Sequence, residues 1–443
     1  MSARAVYFRV ALVAALVRIV YFTQHLASPL VDVPVLDGSY YDTAARAIAA
    51  GESAPGLFTG FRSLLYPRLL AVLYRVGGEW DLYAALALQH LLGVGTAVMV
   101  AALAWRLWRR SSAALAAGCL YALAGPPLFF EGELLVETLF TALVAAQLLA
   151  LAACDDERND PPDGGNVRVW ALALLAGALG AAGVRLRPNH LLFVAALPLI
   201  LIWSSSRRAR ARVVTGALAG AAATLLLLAA WERPLLGRLQ LLPDAGGVNL
   251  YLGNKRSADG MIPKQDWSVT YAEPYRDSVE VFGDEAIRKA HTLARDAAVA
   301  PSAVSRYWLA RTLDELAADP WGRVALLGKK VVYLLWNAEI PNNRSFAFAA
   351  KEEVPLLGWL PVRFGLLLAL AAAGLAVVRG IGPRSSGSTS SGSTSSGSRS
   401  LTLDATLLFV AVHAAGVVLF FVNDRYRLPL WPALAALAGG GVA

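Results

Sequence analysis

The sequence is poor in charge and in the residues that usually form metal sites or disulfide frameworks. Its 443 residues are 16% charged and 57% hydrophobic, whereas soluble domains average about 25% charged residues. Two cysteines and five histidines are too few for a disulfide framework, and we expect no zinc site of the soluble type. Cys119 and Cys154 lie inside or at the end of apolar segments, so we predict that both are small buried apolar residues.

The sequence also lacks the short motifs that identify several enzyme and transporter classes. It contains no P-loop, no paired H-x-x-H or C-x-x-C and no G-x-S-x-G elbow, so nothing supports ATP-driven transport. It shows no convincing internal half-repeat of the kind found in many secondary transporters. The formal net charge of +8 would suit a nucleic-acid partner. We expect no such partner, because the arginines cluster at the ends of apolar runs, as in membrane proteins.

What the sequence does contain is a series of apolar runs about as long as a bilayer core is thick, on the order of 20 residues each. They predict an all-α multi-pass membrane bundle of about ten transmembrane helices. Arginine clusters follow the second, sixth and eighth runs, and a cytoplasmic N-terminus places all three clusters in the cytoplasm. The C-terminus is then cytoplasmic as well. The runs lie at 5–24, 81–104, 112–129, 134–153, 169–185, 189–203, 213–231, 357–378, 402–421 and 428–443.

This topology predicts two outward-facing segments and three regions of the chain. The first outer loop spans 25–80, and the longer polar stretch forms an extracytoplasmic domain of mixed structure. The regions are an N-terminal membrane module at 1–231, the extracytoplasmic domain at 232–356, and C-terminal membrane helices at 357–443 with a flexible Ser/Gly/Thr-rich linker at 383–400.

Two amphipathic helices are predicted within the extracytoplasmic domain, at 301–318 and 320–337. Asp319 suits the N-cap of the second helix, and Pro320 fits its first helical position. Apolar residues recur in this helix at helical spacing, while charged residues such as Arg323 interrupt the run. Such a helix either lies on the membrane surface or forms an eleventh span; we favour the surface.

Acidic residues near the outer ends of the predicted spans are candidates for a functional site, because charged residues at a membrane usually have a functional role. Asp37 precedes a predicted short helix that starts near Ser39, and it is either a helix N-cap or a functional acid. Glu133 and Glu137 are four residues apart and are predicted to share one helix face. Their alternative role is to complement the dipole of a helix N-terminus.

Two closely spaced arginine pairs are the other candidates. Arg185 and Arg187 lie in V-R-L-R-P-N-H, and Arg425 and Arg427 lie in N-D-R-Y-R-L-P. Arginines on the outside oppose the usual charge bias, so they are expected to bind phosphate, the natural partner of a guanidinium. The alternative is contact with the phosphates of membrane lipids. The segment Gly247 to Asn254 is predicted to be a Gly/Asn-rich turn.

The order of several motifs carries a resemblance to a known family. The chain resembles the polyprenyl-phosphate-sugar-dependent glycosyltransferases of the GT-C superfamily, related to protein O-mannosyltransferases and lipid A aminoarabinose transferases. The motifs are an acid ahead of a Tyr-rich helix (Asp37, Tyr40, Tyr41), a Y-P step (Tyr66, Pro67), the acidic run from Glu133 to Phe140, the R-P-N turn (Arg187 to Asn189), the segment Asn249 to Asn254, and R-Y-R-x-P (Arg425 to Pro429).

The resemblance implies an inverting transferase that moves a sugar from a polyprenyl-phosphate donor to a hydroxyl of a glycan, lipid or protein. It implies work on the extracytoplasmic face of an inner membrane, with membrane lipids as further partners. Asp37 matches the proposed catalytic base, with Asp32 and Asp42 as competitors. No second acid stands beside Asp37, which argues against a metal-assisted variant, although a divalent metal stays open. The expected substrate contacts are Glu133, Glu137, Tyr40, Tyr41 and Asn254, and the expected phosphate contacts are Arg185, Arg187, Arg425 and Arg427.

Two other functions compete with this interpretation. A lipid-linked-glycan flippase would need a polar groove open to both faces, with basic residues along its length. The outward charges of this chain instead cluster at one interface, which favours the enzyme. A glycan polymerase or ligase that uses a diphosphate-linked oligosaccharide is barely separated from our choice by sequence.

Overall fold

The fold is known from a computed structural model that describes residues 1–52, 59–159, 165–202, 207–261, 300–378 and 400–443. Within these ranges the regular structure is helical, apart from one isolated bridge. In chain order the principal helices are α1 (Ala3–Leu26), α2 (Asp37–Ala50), α3 (Leu65–Gly77), α4 (Asp81–Trp108), α5 (Ser111–Ala122), α6 (Gly125–Glu131), α7 (Glu137–Asn159), α8 (Gly165–Leu186), α9 (Leu191–Ala196), α10 (Arg207–Leu236), α11 (Gly246–Asn254), α12 (Pro301–Ala318), α13 (Pro320–Leu335), α14 (Phe364–Val378), α15 (Leu401–Leu419) and α16 (Leu430–Val442).

Six helices of the described chain are long and apolar enough to cross a membrane, namely α1, α4, α7, α8, α10 and α15. The other predicted spans correspond to shorter apolar helices: α5, α14, α16 and the stretch Pro188–Leu201. The predicted all-α multi-pass membrane fold is therefore confirmed. The predicted continuous span at 112–129 is wrong, because α5 ends at Ala122 and a new helix begins at Gly125. Pro126 and Pro127 lack the N–H groups that would continue the first helix.

Close packing of the membrane helices depends on small residues. A Cβ atom on Gly177 of α8 would lie 1.9 Å from the carbonyl oxygen of Ala217 in α10. A Cβ atom on Gly374 of α14 would lie 2.1 Å from the carbonyl oxygen of Leu437 in α16. Only glycine lets these backbones come so close, as is common in helix packing within membranes.

Two buried ion-pair groups join helices inside the bundle. Glu131 of α6 accepts hydrogen bonds from Arg18 of α1 (2.6 Å) and contacts Nδ1 of His90 of α4 (3.0 Å). Arg210 of α10 donates to Asp404 of α15 (2.5 Å). Each charge faces a partner, as a low-dielectric interior requires. These residues connect helices that are distant from one another in the sequence.

Helices α12 and α13 lie in the segment that is predicted to face outward. Helix α12 has the predicted bounds, and Asp319 caps α13 by accepting a hydrogen bond from the Gly322 N–H. Helix α13 has 16 residues and belongs neither to the helices of the described chain that are long and apolar enough to cross a membrane nor to its shorter apolar helices, and its surface position stays a prediction. The described part of 232–356 contains helices and turns without strands, so its predicted mixed structure is not found there. The linker predicted at 383–400 lies outside the described residues except for Ser400, which caps α15.

The predicted turn at Gly247 to Asn254 is wrong, since these residues belong to helix α11. Val248 and Leu252 occupy one helix face and pack against Trp308 of α12. Gly247 lies so close to α12 that a Cβ atom would be 1.9 Å from the Ser305 carbonyl oxygen. The glycines of this segment therefore serve close helix packing, and tertiary contact outweighs the low helix propensity of glycine.

Candidate functional site

A cavity of about 170 Å³ lies where the N-terminus of α2, the C-terminal end of α8, the C-terminal end of α15 and the single helical turn Asp424–Arg427 meet. One water needs roughly 10–15 Å³ of such space, so there is room for on the order of ten waters or for a small polar substrate. The wall combines charged, amide and apolar side chains. It includes Asp37, Tyr41, Phe61, Arg62, Ser63, Val136, Leu186, Arg187, Pro188, Asn189, Asn249, Asn342, Asn343, Val417, Phe420, Phe421, Arg425 and Tyr426.

Asp37 stands at this wall as the first residue of α2. The N-cap position belongs to Leu36, which has a φ of 53° and makes no side-chain cap. The helix thus begins two residues before the predicted start at Ser39, and the N-cap role for Asp37 is wrong. Its carboxylate instead accepts hydrogen bonds from Arg62 on one oxygen and from Arg425 (2.6 Å) on the other.

These two guanidiniums control the acidity of Asp37. Burial by itself would raise the pKa of this carboxyl, but Arg62 and Arg425 outweigh burial and hold the pKa well below its usual range. Asp37 is therefore ionised at neutral pH. It is also a weak base for as long as both arginines remain bonded to it.

The two competing acids are used elsewhere. Asp32 accepts a hydrogen bond from Tyr83. Asp42 accepts from Arg46 (3.0 Å) and from Tyr74 (2.7 Å), which joins α2 to α3. Neither aspartate lines the cavity. Asp37 is thus the acid among the three that faces the enclosed space.

Glu137 lies directly behind the cavity wall. It begins α7, is 1% exposed, and its Oε1 forms an ion pair with Arg187 and accepts a hydrogen bond from Nε of Arg425 (3.0 Å). This carboxylate fixes two cavity arginines in position and does not itself line the cavity. Its role in the structure is to hold the guanidiniums toward the space in front of it.

Glu133 does not share a helix face with Glu137, so that prediction is wrong. It lies in the break between α6 and α7, where Gln89 of α4 donates to the carbonyl oxygens of Glu131 and Glu133 and stabilises the non-helical backbone. The Glu133 carboxylate pairs with Arg344 at 3.1 Å, and Arg344 also pairs with Glu353. Burial, opposed by Arg344 and reinforced by Glu353, raises the pKa of Glu133 to about 7.

The two arginine pairs divide between the cavity and the protein interior. Arg187 and Arg425 line the cavity. Arg185 donates to the carbonyl oxygens of Gln240 (3.0 Å) and Leu241 (2.7 Å) and pairs with Glu232. Arg185 is therefore buried away from the cavity.

Arg427 is likewise turned into the protein. It donates to the carbonyl oxygens of Trp336 (2.5 Å) and Ala338 (2.9 Å) and to the Glu339 carboxylate (2.6 Å). Its guanidinium also lies over the ring of Phe364, 4.6 Å from the centroid. The structure does not bring Arg185 or Arg427 to the cavity, which leaves one arginine of each pair to face a ligand.

The remaining predicted substrate contacts also separate. Tyr41 lines the cavity, whereas the ring of Tyr40 supports Arg62, whose guanidinium carbon lies 5.1 Å from the ring centroid. Asn254 lies away from the cavity, where its amide donates to the Leu419 carbonyl (2.8 Å) and accepts from Lys330 (2.9 Å). The structure therefore gives Asn254 a packing role between α11, α13 and α15.

Several cavity residues were not anticipated from the sequence. Arg62 is the most important, since it completes the clamp on Asp37. Its only sequence signal is that of an arginine in a predicted outer loop. Asn342 and Asn343 follow α13 in the segment P-N-N-R and line the cavity. No residue pattern connects these asparagines to Asp37 before the chain is folded.

A divalent metal does not fit the charged residues of this cavity. Within the described ranges, no group of three or more His, Cys, Asp or Glu residues is placed to hold a metal ion. Asp37, the carboxylate at the wall, has a guanidinium on each oxygen. A metal cation there would have to displace both arginines and would then lie among three positive charges.

Comparison with known proteins finds similarity in structure alone. No protein-family model matches the sequence, and no curated protein matches it. The oligosaccharyltransferase AglB from Archaeoglobus fulgidus, in complex with an inhibitory peptide and a dolichol-phosphate, is similar with a TM-score of 0.55 and 14% identity, over 99% of this chain and 50% of that chain. Its apo form gives a TM-score of 0.55 at 13% identity. ArnT from Cupriavidus metallidurans bound to undecaprenyl phosphate aligns with a TM-score of 0.38 and 16% identity, over 97% and 77% of the two chains.

At these identities the similarity to AglB is evidence of a shared fold. This chain spans about half the length of the archaeal protein, and nearly all of this chain takes part in the alignment. The order of motifs along the sequence predicted the fold of the GT-C glycosyltransferases, and AglB has that fold. The chain is therefore a multi-pass membrane protein with the GT-C fold.

Proposed function

We propose that this protein is a membrane glycosyltransferase that moves a sugar from a polyprenyl-phosphate donor to an acceptor hydroxyl. The observation that carries the proposal is that one cavity holds a carboxylate, Asp37, together with the guanidiniums of Arg62, Arg187 and Arg425. A base for the acceptor and cations for a phosphate are the two groups that such a reaction needs.

The donor's phosphate would bind the arginines, since guanidiniums form strong charge-assisted hydrogen bonds with phosphate oxygens. Apolar side chains from the ends of the spans, including Leu186, Val417 and Phe420, form another part of the wall. They would receive the first isoprene units, while the rest of the tail stays in the bilayer. The dolichol-phosphate in the AglB complex is a lipid of this chemistry.

Donor binding would also activate the base. Without a ligand, Arg62 and Arg425 hold Asp37 as a weak base. A phosphate that takes over these two guanidiniums would release the carboxylate and let its pKa rise toward the ordinary value. Asp37 would then become basic when the donor is in place, which couples proton transfer to donor binding.

The chemical step would be a single direct displacement. The acceptor oxygen attacks the anomeric carbon, its proton goes to Asp37, and the bond from that carbon to the phosphate oxygen breaks with its electron pair. The sugar's anomeric configuration is inverted, and polyprenyl phosphate leaves with the added negative charge. Arg187 and Arg425 would stabilise that charge, and Glu137, bonded to both, would keep them aimed at it.

The placement of this reaction follows from the charge pattern of the loops. We propose cytoplasmic termini, a cavity that opens to the extracytoplasmic side of the inner membrane, and acceptor selection by the domain at 232–356. The acceptor would be a glycan, lipid or protein, and the transferred group a hexosyl or pentosyl unit. The cavity charges gather at one end of the bundle, a placement that favours transfer over lipid flipping, which needs a groove open to both faces.

The test is a donor-turnover assay in lipid nanodiscs with a panel of radiolabelled polyprenyl-phosphate sugars. Asp37→Asn should lower turnover by about 10²–10⁴-fold, the usual contribution of a general base, while donor binding persists. Asp42→Asn is the matched control, because Asp42 lies outside the cavity, and it should keep turnover. A wild type that neither binds nor consumes any donor would refute the proposed function. An Asp37→Asn variant as active as wild type would refute the assignment of the base alone.

A further inference from the structure

The positive and negative side chains at the cavity are unequal in number. Three guanidiniums line the space, those of Arg62, Arg187 and Arg425, together with the carboxylate of Asp37. A second carboxylate, Glu137, is bonded to two of the guanidiniums from behind. Three positive charges thus face two negative charges, and the cavity with its bonded acid carries one net positive charge.

The other polar side chains of the wall are neutral, namely amides and hydroxyls. Asn189, Asn249, Asn342 and Asn343 line the space from several elements. Asn343 accepts a hydrogen bond from Arg425 at 2.9 Å, and its buried Nδ2 has no hydrogen-bond partner within the described part of the chain. An amide both donates and accepts, which matches sugar hydroxyls and N-acyl groups. It cannot neutralise a charge on the sugar.

The geometry points to a neutral sugar carried on a single phosphodiester as the donor, an inference that rests on the proposed function. One phosphodiester brings one negative charge, which balances the single positive charge of the cavity. An amino sugar would add a positive charge to a cavity whose single excess positive charge the phosphodiester already balances. The charge of the cavity likewise disfavours a donor that carries a second negative charge.

A uronic acid or a diphosphate link would bring that second negative charge. The cavity and its donor together would then carry one net negative charge. The extra charge would lie beside Asp37 and among neutral amides. An uncompensated charge in a partly desolvated site is costly because solvent screens it poorly. The cavity therefore selects donors by charge before it selects them by the positions of their hydroxyls.

A matched donor series tests this inference by changing charge alone. Farnesyl-phosphoryl glucose, its glucosamine and glucuronic acid analogues, and farnesyl-diphosphoryl glucose would each compete with radiolabelled farnesyl-phosphoryl glucose for wild-type protein in nanodiscs. The neutral phosphodiester should bind at least about tenfold more tightly than each of the others, as expected for one unpaired charge in a partly buried site. The same series in galactose controls for the pattern of hydroxyls. Equal or tighter binding of a charged sugar or of the diphosphate in both series would overturn the inference.

A charge placed on the cavity wall gives a second test. Asn249→Asp adds one negative charge, and it should shift the ratio of glucosamine to glucose binding by about tenfold toward glucosamine. Asn249→Ala removes the same amide without adding charge and should leave that ratio unchanged. A folded Asn249→Asp variant with the wild-type ratio would contradict the charge rule.

The two proposals fail in different ways. If wild-type protein binds none of these donors, the proposed function fails. If it binds them but does not prefer the neutral phosphodiester, the proposed function stands and the inference about donor charge is wrong.

Discussion

The two arginine pairs Arg185/Arg187 and Arg425/Arg427 have the same spacing, yet the two members of each pair occupy different environments. Arg187 and Arg425 line the cavity. Arg185 and Arg427 are fully buried, and carbonyl oxygens and a carboxylate already accept from them. An arginine whose donors are satisfied by the protein has little left for a ligand, whereas one at a cavity wall can exchange partners.

The buried members nevertheless shape the site. Glu232, the partner of Arg185, also accepts from the hydroxyl of Ser63 (3.0 Å) and the N–H of Leu64 (3.3 Å). These residues follow Arg62 directly, so the Arg185–Glu232 pair fixes the loop that presents Arg62 to Asp37. Position in the fold therefore separates arginines that are available to a ligand from arginines that hold the cavity residues in place.

The largest expected effect comes from breaking this buried pair. Arg185→Met would leave Glu232 as an unpaired buried carboxylate, and the free energy of unfolding should fall by about 3–5 kcal/mol. Thermal unfolding in detergent measures the loss. The double variant Arg185→Met/Glu232→Gln should recover part of it, because no charge is then left without a partner. A single variant as stable as wild type would contradict the role given to this pair.

The next effect separates the two arginines of the C-terminal motif. Arg425→Lys keeps the charge but loses the fork that bonds Asp37 and Glu137, so turnover should fall by about 10²–10³-fold, as when a transition-state donor is removed. Arg427→Lys is the matched control, and its main effect should be on thermal stability. Turnover measured per folded molecule distinguishes the two, and equal losses from both variants would remove the distinction between them.

Glu133 and Glu137 also occupy different environments, and the pH dependence of the protein's stability tests the environment of Glu133. The pKa of Glu133 is about 7 in the folded protein and has an ordinary value of 4.5 when unfolded. The folded state therefore holds the proton more tightly, so stability is fully present below about pH 4.5 and is lost as pH rises to about 7. The difference corresponds to about 3 kcal/mol.

Glu133→Gln cannot titrate, so its stability relative to wild type should rise across the same pH window. Thermal unfolding of both proteins at about pH 5 and about pH 8 checks this, with values chosen on either side of the pKa. Parallel pH profiles for the two proteins would show that Glu133 has an ordinary pKa in the folded state.

The smallest expected effect concerns Asn254, which the motif comparison grouped with substrate contacts. Asn254→Ala removes the side-chain oxygen that accepts from the buried Lys330 ammonium, and stability should fall by about 1–3 kcal/mol. Affinity for farnesyl phosphate should stay at the wild-type level, in contrast to Asn249 variants at the cavity wall. A selective loss of donor affinity with unchanged stability would restore the ligand role of Asn254.

The helical framework could be predicted because its signals are local. Apolar runs locate α1, α4, α7, α8, α10 and α15, and the Asp319–Pro320 step marks the start of α13. The errors occurred where packing outweighs local preference. The break before Glu137 depends on Gln89 from α4, and helix α11 depends on its contact with Trp308.

The sequence by itself determined that this is a multi-pass helical membrane protein with a GT-C-like order of motifs and an acid in the segment between its first two apolar runs. Those properties follow from hydrophobic runs, caps and short motifs, each contained within a few neighbouring residues. Only the tertiary structure decided that Asp37 meets Arg62 and Arg425, 25 and 388 residues away, and that Arg185 and Arg427 do not join them. The physical reason is that hydrogen-bond partners are assigned by packing, which brings distant segments together and satisfies some charges before any ligand arrives.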